Sequence, residues 1–268
     1  MKLKRFVIFI LIIILLGLLA YYYPNIQSLA TGKSISNANQ DYQKEPAFVN
    51  RVIDGDTIVV SGPEIGNNTH IRLLGMNTPE HNQPYYQEPK DYLINEIENK
   101  SVELLRDATD TDRYQRKLRY VFYKDNLVNV EIVQQGLAPT FMLDGLKYQD
   151  KFTSAEKFAR ESNLNLWKKS DNKCTDCIKL EKLDPKQEFF IIKNNCNFNC
   201  NLKGWFVKDD ANHFFYLNDL QSQAEETYNS SESKDSNKKP VTTGVWNDDH
   251  DRFFMRDDKG YLVVFYEY

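Results

Sequence analysis

An excess of positive charge is missing from this chain. Of its 268 residues, 34 are Lys or Arg and 38 are Asp or Glu, a formal net charge of −4, which excludes a polycation that coats nucleic acid through bulk electrostatics. The stretch 46–168 also holds more acidic than basic residues. Nucleic-acid affinity there must come from local arginines and bound metal, and is expected to be modest and strongly salt-dependent. Internal repeats are absent, which excludes a solenoid or array. Only four cysteines occur, all from position 174 to 200, so sulfur chemistry is confined to one part of the chain. Long apolar runs are lacking apart from residues 6–23.

That one run follows Lys2, Lys4 and Arg5 and ends in Tyr21, Tyr22 and Tyr23. It is about long enough to span a bilayer as a helix, and the tyrosines suit an interfacial belt. A cleaved signal peptide is the alternative, with Ser28-Leu29-Ala30 as a small-x-small site, but the site lies far from the apolar run. The expectation is a single-pass anchor with its N-terminus in the cytoplasm and everything after it outside, or a secreted protein if the segment is cut. The organisation expected is a cytoplasmic start at 1–5, the anchor at 6–23, a polar linker at 24–45, one domain at 46–169 and another at 170–268.

Chemistry concentrates between positions 54 and 80. Asp54-Gly55-Asp56-Thr57 brings two hard carboxylates to a sharp turn, the ligand type that Ca²⁺ prefers. Further on, Ile71-Arg72-Leu73-Leu74-Gly75-Met76-Asn77-Thr78-Pro79-Glu80 supplies an arginine able to fork onto phosphate and a glutamate able to work on water. D-G-D-T is also a common turn and T-P-E a common helix start. A third element, Asp112-Arg113-Tyr114-Gln115-Arg116, adds a second arginine between two strand-like runs.

With these three motifs in hand, residues 48–167 resemble the staphylococcal (micrococcal) nuclease family, whose pattern is D-G-D-T, then R-L-L-x-x-D-T-P-E, then D-x-Y-G-R. The resemblance implies a phosphodiesterase of the thermonuclease type acting on DNA or RNA with one Ca²⁺ ion. It implies Asp56, Asn77 and Thr78 at the metal, Asp54 as a supporting carboxylate, Glu80 as general base, Arg72 and Arg116 as phosphate clamps, and Arg113 and Tyr114 against substrate. Asn77 stands where the family most often has a second metal-binding aspartate, so metal affinity should fall. Gln115 and Lys117 replace two glycines of the usual turn, which must then change conformation or accept strain. Residues 139–143 lack the paired tyrosines expected near the nucleotide. A binding module without catalysis is the competing function.

Strand-like runs at 47–60, 70–74, 102–106 and 118–123, with helical patterns at 88–99, 127–135 and 148–163, predict an α+β domain that is mainly β. This fits an OB-type barrel, and the family resemblance implies five strands and three helices. Cys174-x-x-Cys177 and Cys196-x-x-x-Cys200 fit either two disulfides or a four-thiolate zinc site; an extracytoplasmic location favours disulfides. Strands at 188–193, 205–208, 214–217 and 262–268 predict a β-sandwich, with 221–240 as a long exposed loop. Motifs around Trp205, Trp246 and Gly260 resemble the lamin tail domain, which implies an immunoglobulin-like sandwich. Both tryptophans are expected in its core. The partners expected are a nucleic-acid substrate, the membrane, and an unidentified ligand of the sandwich, with the chain a monomer.

Overall fold

Strands β1 (Glu45–Val52), β2 (Thr57–Gly62), β3 (Gly66–Leu73), β4 (Ser101–Leu105) and β5 (Lys117–Tyr123) follow one another antiparallel in the spatial order β3-β2-β1-β4-β5. The computed structural model describes residues 43–268 save Ser236, Thr242 and Thr243. The anchor and linker expected at 6–45 lie almost wholly outside the described residues, and among these no helix is long and apolar enough to cross a membrane.

A parallel pairing of β3 with β5, Ile71 opposite Lys117 and Leu73 opposite Arg119, closes the sheet into a five-stranded barrel. Alternation of side chains turns Val49, Ile58, Val60, Ile71, Leu73 and Leu104 inwards, all nearly inaccessible. A short β6 (Asn126–Leu127) extends the edge beside β5. Three helices complete the domain: α1 (Gln87–Ile97), α2 (Val128–Gln134) and α3 (Gln149–Glu161). Each buries apolar residues at helical spacing, Leu93 and Ile97 in α1, Val128 and Ile132 in α2, Phe152 and Ala159 in α3.

The continuous strand expected over 47–60 is interrupted. Residues 53–56 form the turn between β1 and β2, and residues 63–65 the turn between β2 and β3. Gly55 explains the first break: a Cβ there would stand 2.7 Å from Pro89 and 2.8 Å from Thr78. Only glycine lets this loop close against both the start of α1 and the Thr78 segment.

Beyond the barrel, β7 (Ile178–Asp184), β8 (Phe189–Asn194) and β11 (Glu225–Asn229) form a three-stranded sheet in the order β11-β8-β7. A four-stranded sheet has the order β10-β9-β12-β13, from β9 (Phe206–Lys208), β10 (Phe214–Tyr216), β12 (Arg252–Arg256) and β13 (Leu262–Glu267). Both sheets feed one core, with Phe190 and Ile192 from one and Val207, Phe215, Phe253 and Met255 from the other. Trp205 and Trp246 lie in it, as expected. The expected 221–240 loop is corrected: β11 pairs along β8 there, Tyr228 opposite Phe190 with the rings stacked 5.1 Å apart.

Cysteine chemistry resolves into disulfides Cys174–Cys200 and Cys177–Cys196, with Cα separations of 5.9 and 5.3 Å, and no cysteine remains free. A zinc site at the four cysteines is therefore overturned, since each thiolate it needs is spent in a covalent bond. The bridges tie the 174–177 turn to the 196–200 turn beside Phe190 and Leu202.

Barrel and sheets pack as one unit from Gln43 to Tyr268. Lys168 and Ser170 exchange backbone hydrogen bonds with Leu262, and Ala159, Trp167, Phe254 and Leu262 form a separate apolar cluster across the joint. Arg252 of β12 reaches the barrel domain, donating to both Glu156 oxygens at 2.9 and 3.0 Å and to the Thr140 hydroxyl at 3.0 Å.

Candidate active site

Strand pairing sets the first contact of the site. Thr57 of β2 lies opposite Arg72 of β3, which brings Asp56, the turn residue just before β2, within reach of the Arg72 guanidinium. Arg72 Nη1 sits 3.1 Å from Asp56 Oδ2, and its Nη2 donates to Asn77 Oδ1 at 3.0 Å. The Thr78 amide and hydroxyl both donate to Asp56 Oδ2, at 3.2 and 2.9 Å, and the Thr57 hydroxyl donates to Oδ1 at 3.0 Å. Asp56 is thus buried and fixed through both oxygens.

Arg116 arrives from the turn before β5. Asp112 arranges it: Oδ1 accepts the Tyr114 and Arg116 amides at 2.8 and 2.9 Å, and Oδ2 accepts Arg116 Nε at 2.7 Å. Arg116 Nη1 then donates to the Thr57 hydroxyl at 3.0 Å. Both arginines consequently meet around Asp56 and Thr57. Gln115, where a glycine was expected, holds φ at +64°, the left-handed region that a glycine enters without steric cost. The turn carries that strain at Gln115. Tyr114 stands 64% exposed next to it, with Arg113 and Arg116 against its ring at 4.8 and 5.5 Å.

Electrostatics single out two carboxylates. Burial, and then the charge of Asp56, push the Asp54 carboxyl up to about 6. Glu80 lies at the open mouth; crowding by the protein and then Asp56 raise its pKa, against the lowering pull of Arg72, Arg116 and Lys208. Arg72 pairs with Asp56, and Asp54 has no ion-pair partner among the described residues, so the site is short of positive charge on the Asp54 side. A hard dication suits that shortage, with Asp54, Asp56 and the Thr78 carbonyl as oxygen donors. Asn77 offers less, because its oxygen receives Arg72 and its Nδ2 donates to the Asp210 carbonyl at 3.5 Å.

Two arginine forks, a fixed aspartate and an exposed glutamate meet on one barrel rim, and the sequence that carries them is similar to known proteins. Residues 70–169 match the family model described as staphylococcal nuclease homologue. The chain is 36% identical over 140 residues to a thermonuclease of Staphylococcus hyicus, covering 50% of this chain and 79% of that protein. This chain belongs to the staphylococcal nuclease family. A thermonuclease of Staphylococcus intermedius is 33% identical over 139 residues, covering 49% and 82% of the two chains. An uncharacterized endonuclease of Haemophilus influenzae is 30% identical over 126 residues, covering 47% and 67%.

Of the expected site residues, Asp54, Asp56, Arg72, Asn77, Thr78, Glu80 and Arg116 come together, while Arg113 and Tyr114 flank them on the exposed turn. Sequence reasoning passed over Thr57 and Asp112, although both lie inside the motifs it singled out. It also passed over Asp210 and Lys208, which reach the rim from the second domain. No spacing signal connects positions so far apart.

Proposed function

We propose that this chain is a Ca²⁺-dependent nuclease that hydrolyses phosphodiester bonds in DNA, and in RNA, held at a membrane by residues 6–23 with its catalytic domain outside the cytoplasm. The observation that carries the reading is the convergence of Arg72 and Arg116 on the Asp56–Thr57 corner, with Glu80 at the open mouth. Two rigid guanidinium forks suit the non-bridging oxygens of a phosphodiester and the extra charge that develops as water adds. Glu80 orients the attacking water and takes its proton; its raised pKa makes it a better base than a free surface glutamate. Asp54, Asp56 and Thr78 would hold Ca²⁺, which when bound neutralises phosphoryl charge. Asp112 acts only through Arg116, by fixing its direction. The second domain is read as lamin-tail-like, and the chain as a monomer.

The test is cleavage of single-stranded DNA by the full-length chain in Ca²⁺ and in excess chelator. Cleavage should require Ca²⁺ and should fall by on the order of a hundredfold or more in Glu80→Gln and in Arg116→Ala. Unchanged rates in both variants would remove the mechanism. A catalytically silent binding module is the second reading, favoured by the engagement of both ends of the Asn77 amide. It predicts strand binding in Ca²⁺ with no cleavage. Protease added to intact cells reports the topology, and protection of the catalytic domain would overturn the outward orientation.

A further inference from the structure

A small cleft opens where the second domain meets the rim of the site. Asn77, Thr78, Pro79, Gln83 and Pro84 line one side, and Phe206, Lys208, Asn212 and Arg256 the other. Its free volume is about 20 Å³, the room of about one water molecule or one phosphoryl oxygen. Two cations border it without a carboxylate. Lys208 Nζ donates to the Asp209 carbonyl at 3.0 Å and to Asn212 Oδ1 at 2.8 Å, both neutral oxygens. Buried Arg256 donates to the Leu166 and Gly260 carbonyls. Among the described residues neither has an ion-pair partner.

Sheltering two cations side by side costs free energy unless an anion compensates them. Holding the 209–212 turn does not require it, because a neutral donor would bridge the same two oxygens. Burial lowers the Lys208 ammonium to about 8, with Arg256 and Arg252 adding to the effect against the pull of Asp209 and Asp210. It remains mostly cationic at neutral pH, with two neutral oxygens and the face of Phe254, 5.2 Å from Nζ, as its partners and no carboxylate in an ion pair. The Asn77–Asp210 hydrogen bond fixes the turn after Lys208 directly against the catalytic rim.

We propose that the second domain contributes a phosphate subsite to the nuclease, in which Lys208, backed by Arg256, receives an oxygen of a backbone phosphate beside the scissile one. The inference rests on the nuclease reading and assigns to the second domain a direct part in holding the substrate strand. The tail is then a wall of the active site as well as a neighbour of it.

The test uses the full-length chain carrying Glu80→Gln, Ca²⁺ and a fluorescent single-stranded DNA, with affinity measured across a salt series. Lys208→Met should weaken binding on the order of three- to tenfold at low salt and lower the slope of log affinity against log salt by about 0.7, one phosphate contact on a single strand. Lys208→Arg should preserve both. Equal affinity and slope in Lys208→Met would overturn the subsite, and so would an arginine variant as weak as the methionine one, because the role would then be structural. If Lys208→Met unfolds, Asn212→Asp reads the same charge: a carboxylate beside the ammonium should compete with the strand, and unchanged binding overturns the proposal. Inorganic phosphate that stabilises the chain through Lys208, with strand binding indifferent to Lys208, would make this a free-anion site and overturn the strand assignment. A parent chain that cleaves normally while Lys208→Met binds like it leaves the nuclease reading standing alone. A parent chain that neither binds nor cleaves overturns both.

Discussion

Arg252→Met should be among the most damaging single changes outside the catalytic rim. The guanidinium is nearly inaccessible, its side chain 5% exposed against 12% for Glu156 and 18% for Asp210. It donates Nε to both Asp210 oxygens at 2.8 and 2.9 Å, Nη1 to Glu156 and Thr140, and Nη2 to the Thr140 carbonyl. Methionine fills similar volume but leaves two sheltered carboxylates and a carbonyl without their cation. Removing one partner of a buried pair costs about 3–5 kcal/mol. Because Glu156 still accepts the Thr140 amide at 2.7 Å, part of its shell survives and the middle of that range, about 4 kcal/mol, is expected. A chain of this size should lose about 2–4 °C of melting temperature per kcal/mol, so about 8–16 °C in all. Urea unfolding of the full-length chain measures the free energy, and adding Glu156→Gln should recover about 2 kcal/mol by deleting the orphaned charge while keeping the Thr140 acceptor. A loss under about 1 kcal/mol, or single-variant effects that simply add, would refute the view that Arg252 is the ionic bolt between the domains.

Asp112→Ala should reduce cleavage on the order of ten- to a hundredfold with little change in strand affinity, since it frees Arg116 without deleting it; steady-state kinetics on a short DNA separates the two. Asn77→Asp should tighten activation by Ca²⁺ and also destabilise the chain by about 1–3 kcal/mol, because a carboxylate would then face the Asp210 carbonyl; titration of activity and urea unfolding read the two effects. Gln115→Gly should stabilise the chain by about 0.5–1 kcal/mol, the relief of a left-handed residue less the extra freedom glycine has when unfolded. His213, whose pKa is raised chiefly by its 2.6 Å hydrogen bond to Asp209, contributes stability below its unfolded pKa of about 6.5 that is lost as pH rises through the higher folded value. The deficit of His213→Gln relative to the parent should therefore be largest near pH 6 and fade in alkaline buffer, and a deficit that grows with pH would reverse the assignment.

The barrel was legible because its local signals agree. Apolar alternation marks β4, a continuous apolar run from Tyr120 to Tyr123 marks β5, and Gly136 follows α2 where the periodicity stops. The candidate site was legible as a set of neighbours for the same reason, since Asp56, Arg72, Glu80 and Arg116 all lie in short motifs at or just beyond strand ends. Three strands of the second domain were missed on distinct physical grounds. Strand β11 reads Glu-Glu-Thr-Tyr-Asn and turns only Tyr228 fully into the core, so it resembles a polar loop until β8 supplies its pairing. Strand β7 lies at the edge of its sheet with mostly half-exposed or exposed side chains, so its alternation is weak. Strand β12 begins and ends in arginine, yet all five residues are buried. A chain read locally puts Arg252 in water, and its partner Glu156 lies 96 residues away. Cysteine spacing left both pairing and chemistry open, because two short intervals, C-x-x-C and C-x-x-x-C, suit a metal as well as the nested disulfides that form.

Asn77 joins these levels. In sequence it reads as a lost charge at the proposed metal site, which alone would weaken Ca²⁺ binding. In the fold, the amide does what a carboxylate cannot: it accepts from Arg72 and donates to the Asp210 carbonyl, 133 residues later. The same turn brings Lys208 to the rim. Relative to an aspartate at this position, the site has one negative charge fewer and one positive charge nearby, and both changes favour the phosphate over the ion. A nuclease balanced in this way should hold its strand more firmly than the acidic composition of 46–168 implies, and should depend on the second domain for part of that hold.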